Sequence, residues 1–137
     1  MNQLKGSMID HFQYTVDNSL ARNRSIIDQL TKLQDCCSKV SRTIGKAATT
    51  CGCVQINATK QAYPPPCSDV SMDDLHYLMC THLEGKLCED CLDHLEREIG
   101  RTLYYLTSIC NTFDMNLSDS FIRELKRANI LGKYSLR

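Results

Sequence analysis

The chain has 137 residues, 42% of them hydrophobic and 23% charged, and its sixteen basic and sixteen acidic side chains give a formal net charge of zero. This length predicts one compact domain. The balanced charge argues against a nucleic-acid-binding protein, and no apolar run approaches the roughly 20 residues that span a bilayer. The nine cysteines are odd in number, and residues 1–10 lack the basic start and apolar core of a signal peptide. We therefore expect a reducing, cytoplasmic location.

The first half of the chain carries a strong helical pattern. A short helix is expected around residues 7–16, and a longer one follows, with Asp17 or Asn18 as its cap. Apolar residues recur in the longer helix at steps of four and three, which is the period of one helical face. These residues are Ile26, Leu30, Leu33, Cys37, Val40, Ile44, Ala47 and Cys51. Gly52 is predicted to end this regular segment.

Three consecutive prolines divide the chain. Pro64, Pro65 and Pro66 cannot continue a helix, because each ring fixes φ and removes an amide donor. We therefore expect a single helical domain over residues 1–137, with a Pro-rich linker at about residues 57–70.

The second half predicts three more helices. Residues 71–74 form a capping sequence, Gly85 interrupts the pattern, and a long apolar seam runs from Cys88 to Phe113. Ser118 is expected to cap a last helix that Gly132 ends. The fold class is therefore all-α, a four- to five-helix bundle. The long seam of the first half also suits pairing with a second copy, as a homodimer.

Three patches of sequence resemble one family. They are Leu30 to Val40, the stretch Glu96-Arg97-Glu98-Ile99-Gly100-Arg101 with its apolar continuation, and the run from Asp114 through Glu124–Asn129 to Lys133-Tyr134. In this order they resemble the MazG-like, all-α nucleotide pyrophosphohydrolases. The resemblance implies a MazG-like bundle, a dimer, and a nucleotide bound through magnesium, with Asn129 in the closing helix as a nucleotide-binding residue.

The acidic residues of that family are mostly replaced. Its two acidic pairs hold magnesium on facing helices, but here they fall on Cys36, Lys39, Glu98 and Arg101. Glu98 alone keeps a carboxylate, so a catalytically degenerate binding or regulatory module is the favoured function. The alternative is an active magnesium-dependent nucleoside-triphosphate pyrophosphohydrolase, with Glu98 catalytic. Its substitute metal ligands would be Asp35, Glu96 or Asp93.

Lys39 and Arg101 stand where two of the family's acids would be. One interpretation is an ordinary solvated face, with ion pairs to Asp35 and Glu98. The other is that the two cations bind a nucleotide phosphate directly, because Lys and Arg both suit phosphate contacts.

The cysteines form a second pattern with metal-ligand spacing. Cys51 and Cys53 are separated by one glycine, and Cys88 and Cys91 form a C-x-x-C pair. Two such pairs complete a four-thiolate site for zinc, and the same ligands suit an iron–sulfur cluster. Further candidate ligands are Cys36, Cys37 and His82. Two alternatives stay open, in which the thiols are buried core residues or a redox dithiol.

Overall fold

The computed structural model describes residues 2–71 and 74–131 and confirms a predominantly helical fold. Within this part of the chain there are five α-helices and one two-stranded antiparallel sheet. In chain order the elements are α1 (Asn2–Ser19), α2 (Ile26–Lys46), a π-helical turn (Ala47–Cys51), β1 (Val54–Ile56), α3 (Leu75–Leu78), β2 (Leu83–Gly85), α4 (Glu89–Thr112) and α5 (Leu117–Leu131). None of the described helices is long and apolar enough to cross a membrane.

The α2–α4 pair is the centre of the fold. The two helices pack along one another more extensively than any other pair, and α1 packs on α4 and α5. Gln29 near the start of α2 bonds Thr112 at the end of α4, while the end of the π-helical turn meets the start of α4, so the pair is antiparallel. Among the described residues the buried apolar side chains are Val16, Leu20, Cys36, Ala47 and Val54.

A polar cluster holds the far end of this pair. Gln29 and Ser108 are fully buried. The Ser108 hydroxyl donates to Gln29 Oε1 at 2.9 Å, and Gln29 Nε2 donates to the Arg24 carbonyl and to Thr112 Oγ1, each at 2.9 Å. Because its polar atoms are bonded on several sides, Gln29 occupies the interior without leaving a buried donor or acceptor unpaired.

Half of the predicted α2 seam faces the interior. Ala47 is buried as predicted, and the seam residues Ile26, Leu33 and Val40 are half-buried. Leu30 and Cys37 are exposed, and the residues just before them, Gln29 and Cys36, are buried instead. The helical period was therefore right, but every second seam position was displaced by one residue. A polar residue, Gln29, takes a core position because α4 offers it hydroxyl partners.

Two predicted helix starts were wrong. Asp17 lies inside α1, which extends to Ser19, and Ser25 takes the N-cap position of α2. Helix α5 begins one residue before Ser118, and Asn116 Oδ1 accepts the Asp119 backbone N–H at 3.0 Å. The Ser118 hydroxyl instead donates to Asp10 Oδ1, which ties α5 to α1.

Two other predicted boundaries fall partly on residues that the structure does not describe. Of the capping sequence at 71–74, Met72 and Asp73 lie outside the described residues, as does Gly132. Asp74 takes the N-cap position of α3, and the Ser71 hydroxyl donates to its carboxylate at 2.9 Å. Residues 57–71 contain no helix or strand, and a turn occurs at Pro66 and Cys67.

The small sheet is an element that the sequence analysis missed. β1 pairs with β2 so that Val54 lies opposite Gly85 and Ile56 opposite Leu83. Each strand has three residues, which is too short for an alternating pattern to stand out from chance. The pairing closes the long connection between the two strands and brings the end of the π-helical turn next to the start of α4.

Candidate metal centre

Four cysteines meet where α2, the sheet and α4 join. Cys51 is the last residue of the π-helical turn, and Cys53 immediately precedes β1. Cys88 is the N-cap residue of α4, and Cys91 lies in its first turn. Two pairs that are far apart in the chain are thus presented by two helix ends that face each other.

Gly52 makes the first pair possible. Its φ of 80° lies in the left-handed region, where a side chain is disfavoured, and its N–H bonds the Ala47 carbonyl at 2.9 Å. The chain therefore reverses between Cys51 and Cys53, as the predicted ending at Gly52 required. The reversal leaves both sulfurs on the same side, facing α4.

Gly85 fixes the position of the second strand against the first pair. Its φ is 86°, and a Cβ built at this position would lie 2.6 Å from the Cys53 carbonyl oxygen. Glycine is therefore required here both by its backbone conformation and by the close approach of Cys53. This contact sets the distance between the two cysteine pairs, because Cys88 follows Gly85 by three residues.

The distances between the four sulfur atoms are compatible with a cysteine-ligated metal site. All four Sγ atoms lie within 4.8 Å of one another, and Cys51 Sγ and Cys88 Sγ are 3.8 Å apart. A tetrahedron with Zn–S bonds of about 2.3 Å has S···S edges of roughly 3.8 Å. The nine cysteines are free thiols, so no disulfide competes for these sulfurs.

Hydrogen bonding within the cluster already favours one thiolate. The backbone N–H of Cys91, together with its thiol, lowers the pKa of Cys88 to about 7. The reciprocal hydrogen bond to Cys88, aided by burial, raises the pKa of Cys91 to about 12. The Cys53 backbone N–H favours the Cys51 thiolate, but hydrogen bonds with the thiols of Cys88 and Cys53 outweigh it and raise the pKa of Cys51.

An open groove gives access to these sulfurs. It has a volume of about 340 Å³, and Cys51, Cys88 and Cys91 lie along it. Lys46 and His94 line the same groove. Cys51 is exposed, whereas Cys53, Cys88 and Cys91 are half-buried. An ion can therefore enter from solvent without the helices separating.

The other predicted sulfur and imidazole ligands lie outside this group. Cys36 is buried between α2 and α4, where burial raises the pKa of its thiol, and Cys37 is exposed along a shallow groove between the same two helices. His82 has a positive φ of 58°, and its backbone N–H donates to Cys80 Sγ at 3.2 Å. The structure brings together the two spaced pairs and leaves the adjacent pair and the histidine elsewhere.

The two cations at the family's acid positions have carboxylate partners. Lys39 Nζ lies 3.0 Å from Asp35 Oδ2, and an Arg101 guanidinium nitrogen lies 3.2 Å from Glu98 Oε1. The paired ammonium lowers the pKa of Asp35, and the same carboxylate raises the pKa of Lys39. These ion pairs are the first of the two interpretations given above. Phosphate binding by Lys39 and Arg101 stays a prediction.

Glu98 has one feature that the ion pair does not explain. Its side chain is largely buried, and Oε2 has no hydrogen-bond partner among the described residues. No pattern in the sequence indicates that this oxygen is left without a partner. The remaining predicted residues are exposed: Asp93 pairs with Arg97 at 3.0 Å, and Glu96 and Asn129 lie on the surfaces of α4 and α5.

Comparison of the chain with protein-family models, with curated proteins and with solved structures finds no match.

Proposed function

We propose that this protein binds one zinc ion through Cys51, Cys53, Cys88 and Cys91, and that it acts as a binding or regulatory module rather than an enzyme. The observation that carries this proposal is the convergence of four sulfurs within 4.8 Å of one another. Thiolates are soft ligands, and a four-thiolate set is typical of structural zinc.

The completeness of the ligand set supports a structural ion. Catalytic zinc keeps a coordination position for water or substrate, whereas structural zinc is enclosed by four protein ligands. Four thiolates from two helix ends fill a tetrahedral shell. The ion would then join the end of α2 to the start of α4, and its occupancy would control how firmly these ends are held.

The spacing of the sulfurs supports one ion over an iron–sulfur cluster. A cluster distributes its cysteine ligands over several irons with sulfide between them, so its thiolates lie farther apart than those on a single ion. The 3.8 Å separation of Cys51 and Cys88 matches the edge of a tetrahedron around one ion. A reducing compartment, the cytoplasm, is the location we propose, because the thiols must stay unoxidised to bind.

Elemental analysis of anaerobically purified protein tests this function. We expect about one zinc per chain in the native protein and near-zero zinc in the Cys88→Ser variant, because a tetrahedral site that loses one thiolate binds far more weakly. Cys67→Ser is the matched control, since Cys67 is an exposed cysteine outside the cluster and its loss should leave the zinc content unchanged.

Other results would reject the proposal. Absence of zinc and iron from the native protein, after reconstitution as well as purification, would remove the metal site. Stoichiometric iron with inorganic sulfide and a visible absorption band would replace the single zinc by a cluster. Equal metal loss in the two serine variants would place the ion somewhere other than the four-cysteine group.

A second candidate function rests on the unpartnered oxygen of Glu98. We propose, as the alternative, that the chain keeps a MazG-like pyrophosphohydrolase activity in which this carboxylate holds magnesium. A buried carboxylate oxygen without a hydrogen bond is a suitable hard ligand for such an ion. Against this candidate, Arg101 lies on the other oxygen and a cation next to the ligand disfavours metal binding.

Pyrophosphate release from a panel of nucleoside triphosphates decides between the two functions. The alternative expects magnesium-dependent release that Glu98→Gln abolishes and that Glu84→Gln, an exposed change on β2 outside the proposed magnesium site, leaves intact. The zinc-module proposal expects no release above the uncatalysed rate with either form. Nucleotide that binds to Lys39, Arg101 and Asn129 without being hydrolysed would release no pyrophosphate. Equilibrium dialysis with the same nucleotides would detect it.

A further inference from the structure

The folded chain exposes far more surface than its mass requires. Its accessible surface is 10866 Å² for 15.6 kDa, whereas a compact monomer of this mass exposes about 7,200 Å². The excess is on the order of 3,600 Å² by the same relation. Obligate homodimers bury roughly 2,000–5,000 Å² over both partners, or about 1,000–2,500 Å² on each. The area that one chain must bury in a stable dimer therefore lies within this excess.

Much of the apolar part of that surface lies on one side of the α2–α4 pair. Along α4 the side chains of Ile99, Leu103 and Leu106 are 43%, 46% and 44% exposed. Along α2, Leu30 and Ile44 are 47% and 37% exposed. These residues belong to the helical seams that the sequence analysis identified, and within one chain the seams have little to pack against.

Two shallow grooves contain the α4 residues of this surface, Ile99, Leu103 and Leu106. A groove of about 240 Å³ between α2 and α4 is lined by Cys37, Val40, Ile99, Thr102 and Leu103. A second groove of about 380 Å³ is formed by α1, α4 and α5 and is almost wholly apolar. Its lining residues are Met8, Ile9, Phe12, Leu103, Leu106, Thr107, Leu117 and Phe121. Leu103 lines both grooves, so it lies near the centre of a continuous apolar face, here called the Leu103 face.

We propose that the Leu103 face binds the same face of a second copy of this chain. The observations favour a second copy because, among the described residues, those that line the two grooves are all uncharged. The chain also has no net charge, so two copies do not repel each other. Apolar seams at three- and four-residue spacing pack on equivalent seams in helical bundles. A closed two-fold arrangement buries the same residues on both partners. The proposal is independent of the metal.

Mass measurement of the full, zinc-loaded chain in solution is the first test. Light scattering or sedimentation equilibrium at micromolar concentration should give twice the 15.6 kDa mass of one chain. A single-chain mass that persists up to about 100 µM, where even weak specific dimers associate, would overturn the proposal. A heterologous assembly larger than two chains would also overturn it, because the face would then not be self-complementary.

A matched pair of lysine substitutions tests the location. Leu103→Lys should weaken dimerisation by at least about 100-fold, because a charge would be buried at the centre of the interface. Leu78→Lys is the control, since Leu78 in α3 is 45% exposed and lies outside the face; it should keep the dimer. Retention of the dimer by Leu103→Lys would show that another surface mediates association.

Alkylation of cysteines gives a readout that does not depend on mass. Cys37 lines the Leu103 face and Cys67 lies in the linker, and both are exposed in a single chain. In the native dimer Cys37 should be alkylated more slowly than Cys67, and Leu103→Lys should remove the difference. Equal rates in the native protein would overturn the proposal.

A second variant covers the case in which Leu103→Lys fails to fold by circular dichroism. Ile99 lines the α2–α4 groove and is already 43% exposed, so Ile99→Lys should dissociate the dimer while the helices stay intact. A folded Ile99→Lys protein that remains a dimer with protected Cys37 would overturn the assignment of this face.

Discussion

The two ends of the α2–α4 pair are held by different chemistry. At one end the buried Gln29 and Ser108 form a polar cluster with Thr112, and its donors and acceptors are satisfied by protein atoms. At the other end four cysteines surround a space that suits a cation. The polar end is complete without a ligand, whereas under the proposed function the sulfur end is completed by an ion that replaces its thiol protons.

This difference predicts different responses of the two ends to the surroundings. Amide and hydroxyl groups do not titrate near neutral pH, and a polar cluster that needs no metal is not affected by a chelator. Thiolates bind protons, metals and oxidants in competition. Conditions that change the metal supply should therefore loosen the sulfur end and leave the polar end in place, which is a physical basis for a regulatory role.

Removal of the metal should give the largest effect. We expect a chelator to raise amide exchange in β1, β2 and the first turn of α4 by about 100-fold or more, because structural zinc supplies folding free energy directly. Amides around Gln29 and Ser108 should change far less. Hydrogen exchange with peptide resolution measures both ends in one sample. A uniform change along the chain would contradict the comparison.

Acidification should act at the same end and in the same direction. Because the pKa of Cys91 is raised to about 12 and that of Cys51 is also raised, both thiols keep their protons in the metal-free protein at neutral pH. Zinc binding then displaces at least these two protons. The apparent zinc affinity should fall about 100-fold or more for each pH unit lost.

Competition with a chromophoric chelator between pH 7.5 and 6 measures this slope. Below about pH 7 the Cys88 thiolate also takes up a proton, so the slope should steepen there. An affinity that does not change with pH would show that binding displaces no thiol protons, so that Cys51 and Cys91 are not ligands of the ion.

Truncation of the buried glutamine should weaken the polar end. Gln29→Ala leaves the Ser108 hydroxyl without its acceptor and opens a cavity, so we expect a loss of about 2–4 kcal/mol in the free energy of unfolding. Gln55→Ala on β1 is the matched control, because Gln55 is exposed and its loss should cost less than about 0.5 kcal/mol. Urea titration of zinc-loaded protein measures both, and zinc content should stay unchanged in both variants.

Substitution by alanine at two different glycines should change the free energy of unfolding in opposite directions. Gly85→Ala forces a Cβ against the Cys53 carbonyl at a positive φ and should cost about 1–3 kcal/mol. Gly100→Ala lies within α4, where no atom is within 4 Å of the added Cβ, and should stabilise the protein by roughly 1 kcal/mol. Thermal unfolding measures the two shifts. A gain in stability for Gly85→Ala would show that the hairpin does not position the sulfurs.

Local patterns account for what the sequence predicted correctly. The helical period in α2 and α4 depends on nearest neighbours along the chain, so the helices were found although every second position of the α2 seam was one residue off. Gly52 was recognised as an ending because a glycine between two cysteines is a local signal. The Cys51–Cys53 and Cys88–Cys91 pairs were identified from their spacing alone.

Which thiols share one site depends on the distant parts of the chain. Cys36 and Cys37 looked equally suitable as ligands, but packing of α2 on α4 buries Cys36 and leaves Cys37 exposed along the groove between the two helices. The hairpin escaped prediction because three-residue strands carry almost no pattern and are stabilised by their partner. The unpartnered oxygen of Glu98 likewise results from burial between helices.

By itself the sequence determined the helices, the glycine turn and the two cysteine pairs, because these follow from backbone preferences and spacing within a few residues. Only the tertiary structure decided that the pairs converge, that Gln29 rather than Leu30 faces the interior, and that the apolar seams meet solvent. Those outcomes depend on which surfaces of distant helices come into contact, and the free energy of that contact is shared by residues far apart in the chain.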